Sequence, residues 1–105
     1  MIFSPHLLPA PLDLARFFGR TAPVEVDLGC GKGRFLLARA VRHPERNWIG
    51  TDIQYGRLVK IRSRAEQANL SNLRLLHTET AYALEYLLPP GSVRTFFLFF
   101  PDPWP

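Results

Sequence analysis

A cluster of glycines framed by carboxylates is the part of this chain best equipped for chemistry. In Asp27-Leu28-Gly29-Cys30-Gly31-Lys32-Gly33, three glycines alternate with other residues, and an acid stands two positions before the first. Glycine suits a backbone that turns sharply and lies against a ligand, because any side chain there blocks the approach. Asp52 closes Asn47-Trp48-Ile49-Gly50-Thr51-Asp52, 25 residues after Asp27. A carboxylate at that interval can accept hydrogen bonds from both hydroxyls of a ribose. The pair reads as a nucleotide-type ligand site built from Asp27, Gly29, Gly31 and Asp52. The competing readings are a tight strand-to-helix turn that binds nothing and a solvated acid at a strand end.

Two familiar phosphate loops are excluded at the residues that define them. The dinucleotide fingerprint requires Gly or Ala at its sixth position, where Arg34 stands. The P-loop requires Ser or Thr after its Gly-Lys pair, and Gly33 follows Lys32. Cys30 has no histidine beside it in sequence and reads as a small packing residue. Glu79, in Leu75-Leu76-His77-Thr78-Glu79-Thr80, is either a ligand contact or an acid placed well for a helix dipole. His77 reads as a strand residue and His43 as a helix-end residue, and the histidines lack metal-ligand spacing. Phe99-Phe100-Pro101-Asp102-Pro103-Trp104 sets a carboxylate between two prolines that fix the backbone around it. Trp104 could stack on a base, or the stretch is a proline-rich strand exit with Trp104 in the core.

These residues need strands that end at one edge and helices that follow them. Strands are predicted at 24–28, 47–53, 73–78 and 93–100, and helices at 34–41, 57–69 and 81–88. The second helix has the clearest apolar stripe, Leu58, Ile61, Ala65 and Ala68, with Arg57, Lys60 and Arg64 opposite. Alternating strands and helices with short links predict an α/β, Rossmann-like doubly wound sheet. Residues 1–23 read as an extended, proline-rich lead-in with a short helix, capped by Asp13 and stopped by Gly19. Residues 24–105 read as the sheet domain. The apolar run 96–100 suits a parallel strand covered on both faces.

Composition narrows the class. Hydrophobic residues at 47% with 21% charged are those of a folded domain rather than a disordered segment. Thirteen Lys and Arg against nine acids give +4, and eleven of the thirteen are Arg, which permits a nucleic-acid partner without establishing one. The bases are spread over the helices, and Arg57, Lys60, Arg62 and Arg64 lie far in sequence from the last strand. One cysteine fits a reducing compartment. No secretory signal or spanning segment is visible, so the chain reads as soluble and cytoplasmic.

Taken together, Asp27-Leu28-Gly29-Cys30-Gly31-Lys32-Gly33, Gly50-Thr51-Asp52, Asn72-Leu73-Arg74 and Phe99-Phe100-Pro101-Asp102-Pro103-Trp104 resemble the tRNA (guanine-N7-)-methyltransferases, which are class I methyltransferases. The resemblance implies transfer of a methyl group from S-adenosylmethionine to N7 of a guanosine in the tRNA variable loop. It implies cofactor contacts at Asp27, Asp52 and Glu79, the last toward the adenine amino group, and a catalytic acid at Asp102. The family often has Glu at the first two positions and Asp at the third, a difference of one methylene each. Family members continue past the tryptophan into a basic stretch and further strands, whereas this sequence ends at Pro105. The chain is therefore expected to be a truncated form, inactive alone, with strand order 3-2-1-4. Its fourth strand would be an apolar edge open to self-association. A non-catalytic adenosylmethionine- or nucleotide-binding fragment that needs a partner, and a class I methyltransferase with another substrate, stay open as alternatives.

Overall fold

The computed structural model of the chain describes residues 1–99. Among them, five parallel strands form one sheet: β1 (Ile2–Phe3), β2 (Val24–Leu28), β3 (Asn47–Asp52), β4 (Leu73–His77) and β5 (Thr95–Leu98). Their spatial order is β1-β4-β3-β2-β5. The helices are α1 (Leu14–Phe18), α2 (Arg34–Arg42), α3 (Tyr55–Gln67) and α4 (Thr80–Tyr82), the last running on into a π-helical turn over Ala83–Leu87. The predicted 3-2-1-4 order is present as β4-β3-β2-β5, in the Rossmann-like arrangement expected.

Local chemistry accounts for the boundaries. Asp13 Oδ1 accepts from the Arg16 amide at 3.2 Å, and Gly19 closes α1 in the left-handed conformation. In β2, Val24, Val26 and Leu28 point into one core with Leu14, Phe18, Ile49, Leu76 and Leu87. On the other face, α2 and α3 bury Leu36, Ala40, Leu58, Ile61 and Ala65 against Trp48, Leu73 and Leu75. Glu25 is buried in β2 and pairs with Arg46 at 3.2 Å, which a buried carboxylate requires.

Three expectations need correction. Residues 1–11 are not simply extended: Ile2 and Phe3 pair with Leu75 and Leu76 as an edge strand. Two residues leave no alternation to detect, and Pro5 cannot continue a ladder. The helix predicted at 81–88 is α-helical for one turn only; the Leu88 amide then bonds the Ala83 carbonyl, five residues back. The strand predicted at 93–100 is shorter and is covered on one face. Phe97 stacks on Trp48 with ring centres 6.0 Å apart, while Phe96 and Leu98 are nearly half exposed.

The sheet order fixes where a ligand can sit. From β2 the chain proceeds to β3 and β4 on one side, whereas β5 returns to β2's other side. This switch in direction falls at the carboxyl end of β2, the usual ligand position in such sheets.

Candidate functional site

The glycine loop follows β2 at that end of the sheet and is fastened to the end of β3. The Gly29 amide donates to Thr51 Oγ1 at 3.1 Å, and the Cys30 amide to the Thr51 carbonyl at 2.7 Å. The Gly31 amide donates to Asp52 Oδ2 at 2.9 Å. The other oxygen, Oδ1, accepts from the Gln54 amide at 2.8 Å. Asp52 therefore holds the loop and the start of α3 at once, leaving further lone pairs on both oxygens for a ligand. Gly29, Gly31 and Gly33 all have positive φ, at 67°, 57° and 77°. The open face of this loop forms a cavity of about 550 Å³, lined by Gly29, Cys30, Gly31, Asp52, Gln54, Arg57, Thr78 and Phe99 among others.

The three glycines do different work. A Cβ on Gly29 or Gly31 would face open space, with no atom of the described residues within 4 Å apart from its chain neighbours. A Cβ on Gly33 would stand 2.6 Å from Ile61 Cδ1, so Gly33 lets α2 and α3 pack closely.

Asp27 lies beneath the loop, only 2% exposed, and does not line the cavity. Its Oδ1 is buried without a hydrogen-bond partner among the described residues. Burial, and then the neighbouring Asp52 charge, push its carboxyl up from 3.8 to about 6. A carboxyl that binds its proton more tightly when folded contributes stability below its unfolded pKa and loses it as pH rises through the folded one. Ligand-free protein is therefore expected to lose up to about 3 kcal/mol between pH 4 and 6 from this group. Denaturant midpoints of the wild type and Asp27→Asn, compared at pH 4.5 and 7, check it. The wild type should lose stability relative to the variant across that range, and parallel pH profiles would refute the assignment.

Of the other predicted residues, Glu79 faces a second, smaller cavity of about 340 Å³ with Pro5, Ile53, His77, Thr78 and Tyr82. Ile53 and Thr78 line both cavities, so the two are neighbours. Phe100, Asp102 and Trp104 lie outside the described residues. The Cys30 thiol is pushed up to about 12 by burial and by the Asp27 and Asp52 charges, which leaves it a packing group. His77 Nε2 lies 3.0 Å from the Ile53 carbonyl, tying the ends of β3 and β4. No three His, Cys, Asp or Glu side chains gather as a metal set among the described residues.

Set beside known proteins, residues 21–105 match a family profile described as "Putative methyltransferase". The chain belongs to this methyltransferase family. A tRNA (guanine-N(7)-)-methyltransferase of Leifsonia xyli subsp. xyli is 43% identical over 94 residues, 90% of this chain and 41% of that protein. The tRNA (guanine-N(7)-)-methyltransferase of Sodalis glossinidius is 40% identical over 94 residues, 90% of this chain and 39% of that protein. The methyltransferase chain thus spans about two fifths of the length of these relatives. Among solved structures, the 16S rRNA methyltransferase KamB superposes with a TM-score of 0.68 at 24% identity, covering 87% of this chain and 43% of that one. At that identity the likeness speaks for the fold.

Three contributors had no individual role assigned from the sequence. Thr51 holds the first half of the glycine loop, and its position beside Asp52 was the available signal. Asn72 donates to the carbonyls of Ala40 and Arg46 at 3.0 and 3.2 Å, tying α2 to the approach to β3. Arg74 donates to the Phe17 carbonyl at 3.3 Å. The Asn72-Leu73-Arg74 motif is thus a brace that sets β4 behind the site.

Proposed function

We propose that this chain supplies the S-adenosylmethionine-binding part of a tRNA (guanine-N7-)-methyltransferase. The observation that carries the reading is the glycine loop held open over a cavity by the same carboxylate that faces it, Asp52. The residues fit the cofactor: Gly29 and Gly31 leave room for it, and Asp52 can accept from its ribose. Glu79 lines the neighbouring cavity and would be the contact for the adenine amino group that the resemblance implies.

Bound adenosylmethionine supplies an electrophilic methyl group, and guanine N7 has a lone pair and no proton to lose. The chain's task is then alignment rather than base catalysis. Asp52 would hold the ribose, while the glycine loop, its Gly29, Cys30 and Gly31 amides already bonded to the end of β3, would give it room. Asp102, set between two prolines in the sequence, would accept from the guanine N–H donors and offset positive charge developing on the ring.

The test uses this segment in a chain of the relatives' full length, with unmodified tRNA and labelled adenosylmethionine. Label is expected on guanosine N7; label elsewhere, or none, would overturn the reading. In that chain Asp102→Asn is expected to lower kcat far more than cofactor affinity. Equal losses in both would make Asp102 a ligand-binding or structural residue.

A further inference from the structure

Beside the cofactor cavity lies a second one of about 550 Å³ with a different lining: Lys32, Arg34, Gln54, Gly56, Arg57, Lys60 and Arg64. No carboxylate lines it. Its five cations exceed the net charge of +4 carried by the whole chain. The fold gathers what the sequence scatters. Arg57, Lys60 and Arg64 recur at three- and four-residue intervals along one face of α3. Lys32 comes from the glycine loop and Arg34 from the first turn of α2.

Among the described residues, only Arg57 of the five pairs with an acid, Asp52 at 3.8 Å. Arg62, which does not line the groove, lies 3.7 Å from Glu66. Like charges held close together repel, and an anion between them relieves that cost. The amino ends of α2 and α3 add partial positive charge on the same side.

We infer that this groove binds the phosphodiester backbone of the RNA substrate, so that the RNA strand passes over the α2–α3 side of the cofactor cavity. The groove's position supports this: Gln54 and Arg57 line both cavities, placing phosphates one side chain away from Asp52. Arginine suits phosphate through its forked donors. RNA is chosen as the polyanion on the strength of the function proposed above.

The experiment titrates labelled, unmodified tRNA with the 105-residue chain and with Lys60→Gln/Arg64→Gln, reading anisotropy from about 50 to 200 mM salt. The variant is expected to bind at least about tenfold more weakly, with a log–log salt slope shallower by about 2, roughly one for each phosphate contact removed. Calorimetric titration with adenosylmethionine, measured alongside, should give the same affinity for both proteins, since neither side chain lines the cofactor cavity. If both proteins bind tRNA with equal affinity and slope, the groove assignment fails while the tRNA reading stands. If the wild type binds adenosylmethionine but no tRNA, the groove assignment fails, and the tRNA reading is then decided by the full-length labelling test alone. A DNA duplex of similar length bound as tightly, and weakened as much by the double substitution, would overturn the groove as an RNA site.

Discussion

Asp52→Ala is expected to lower adenosylmethionine affinity by a factor of about 10² to 10⁴. The carboxylate offers charge-assisted acceptors to two ribose hydroxyls, each worth about 1.5–3 kcal/mol, and every 1.4 kcal/mol is about tenfold. Alanine also strips the Gly31 and Gln54 amides of their acceptors, so the loop loses the shape that makes the cavity. Calorimetric titration of wild type, Asp52→Ala and Asp52→Asn separates the contributions. Asparagine keeps one carbonyl for the Gly31 or Gln54 amide and should fall between the other two. Equal affinity for wild type and alanine variant would remove Asp52 from the ligand site.

Gly33→Ala is expected to destabilise the fold strongly. At φ 77° an L side chain is strained by about 1–2 kcal/mol. Its Cβ would press on Ile61, which is fully buried between α3 and the sheet. Overpacking of that kind costs about 1–3 kcal/mol. Together the loss is roughly 2–5 kcal/mol, or about 10–30 °C in Tm for a domain of this size. Gly31→Ala has the positive φ but no clash, so it should cost about 1–2 kcal/mol in stability and act mainly on ligand affinity. Thermal melts of the two variants decide it. A Gly33→Ala protein no less stable than Gly31→Ala would show that α2 and α3 do not depend on this close approach.

The legible part of the fold was the part written as periodicity. β2 was read residue for residue, because it is bounded by Pro23 and by the glycine loop. β3, β4 and α2 were read to within a residue, and the order of four strands followed from the resemblance. What was not legible depended on distant pairing. β1 exists because β4 offers it an edge, and two residues carry no pattern of their own. The π-helical turn follows from how Ala83, Leu87 and Leu88 settle into the α1 side of the core. At the site, residue types singled out Asp52 and the loop as candidates, but not that Asp52 bonds the loop itself. Nor could sequence tell that Asp27 would be buried under the loop rather than exposed on the cavity wall. Likewise, spacing places Arg57, Lys60 and Arg64 on one helix face, but only the packing of α2 against α3 brings Lys32 and Arg34 to meet them.

The pairing of β1 with β4 sets the order in which the sheet can be completed as the chain leaves the ribosome. Ile2 pairs with Leu75, so β1 must wait until residue 75 has been made. At about 5–20 residues per second, that wait is roughly 4–15 s. The β2-β3 pair, with only α2 between its strands, can close earlier and bring Asp52 to the glycine loop. The ligand loop can thus be in place on the nascent chain while the amino terminus still lacks its partner strand. In that interval Ile2 and Phe3 are an apolar stretch for a chaperone to shield.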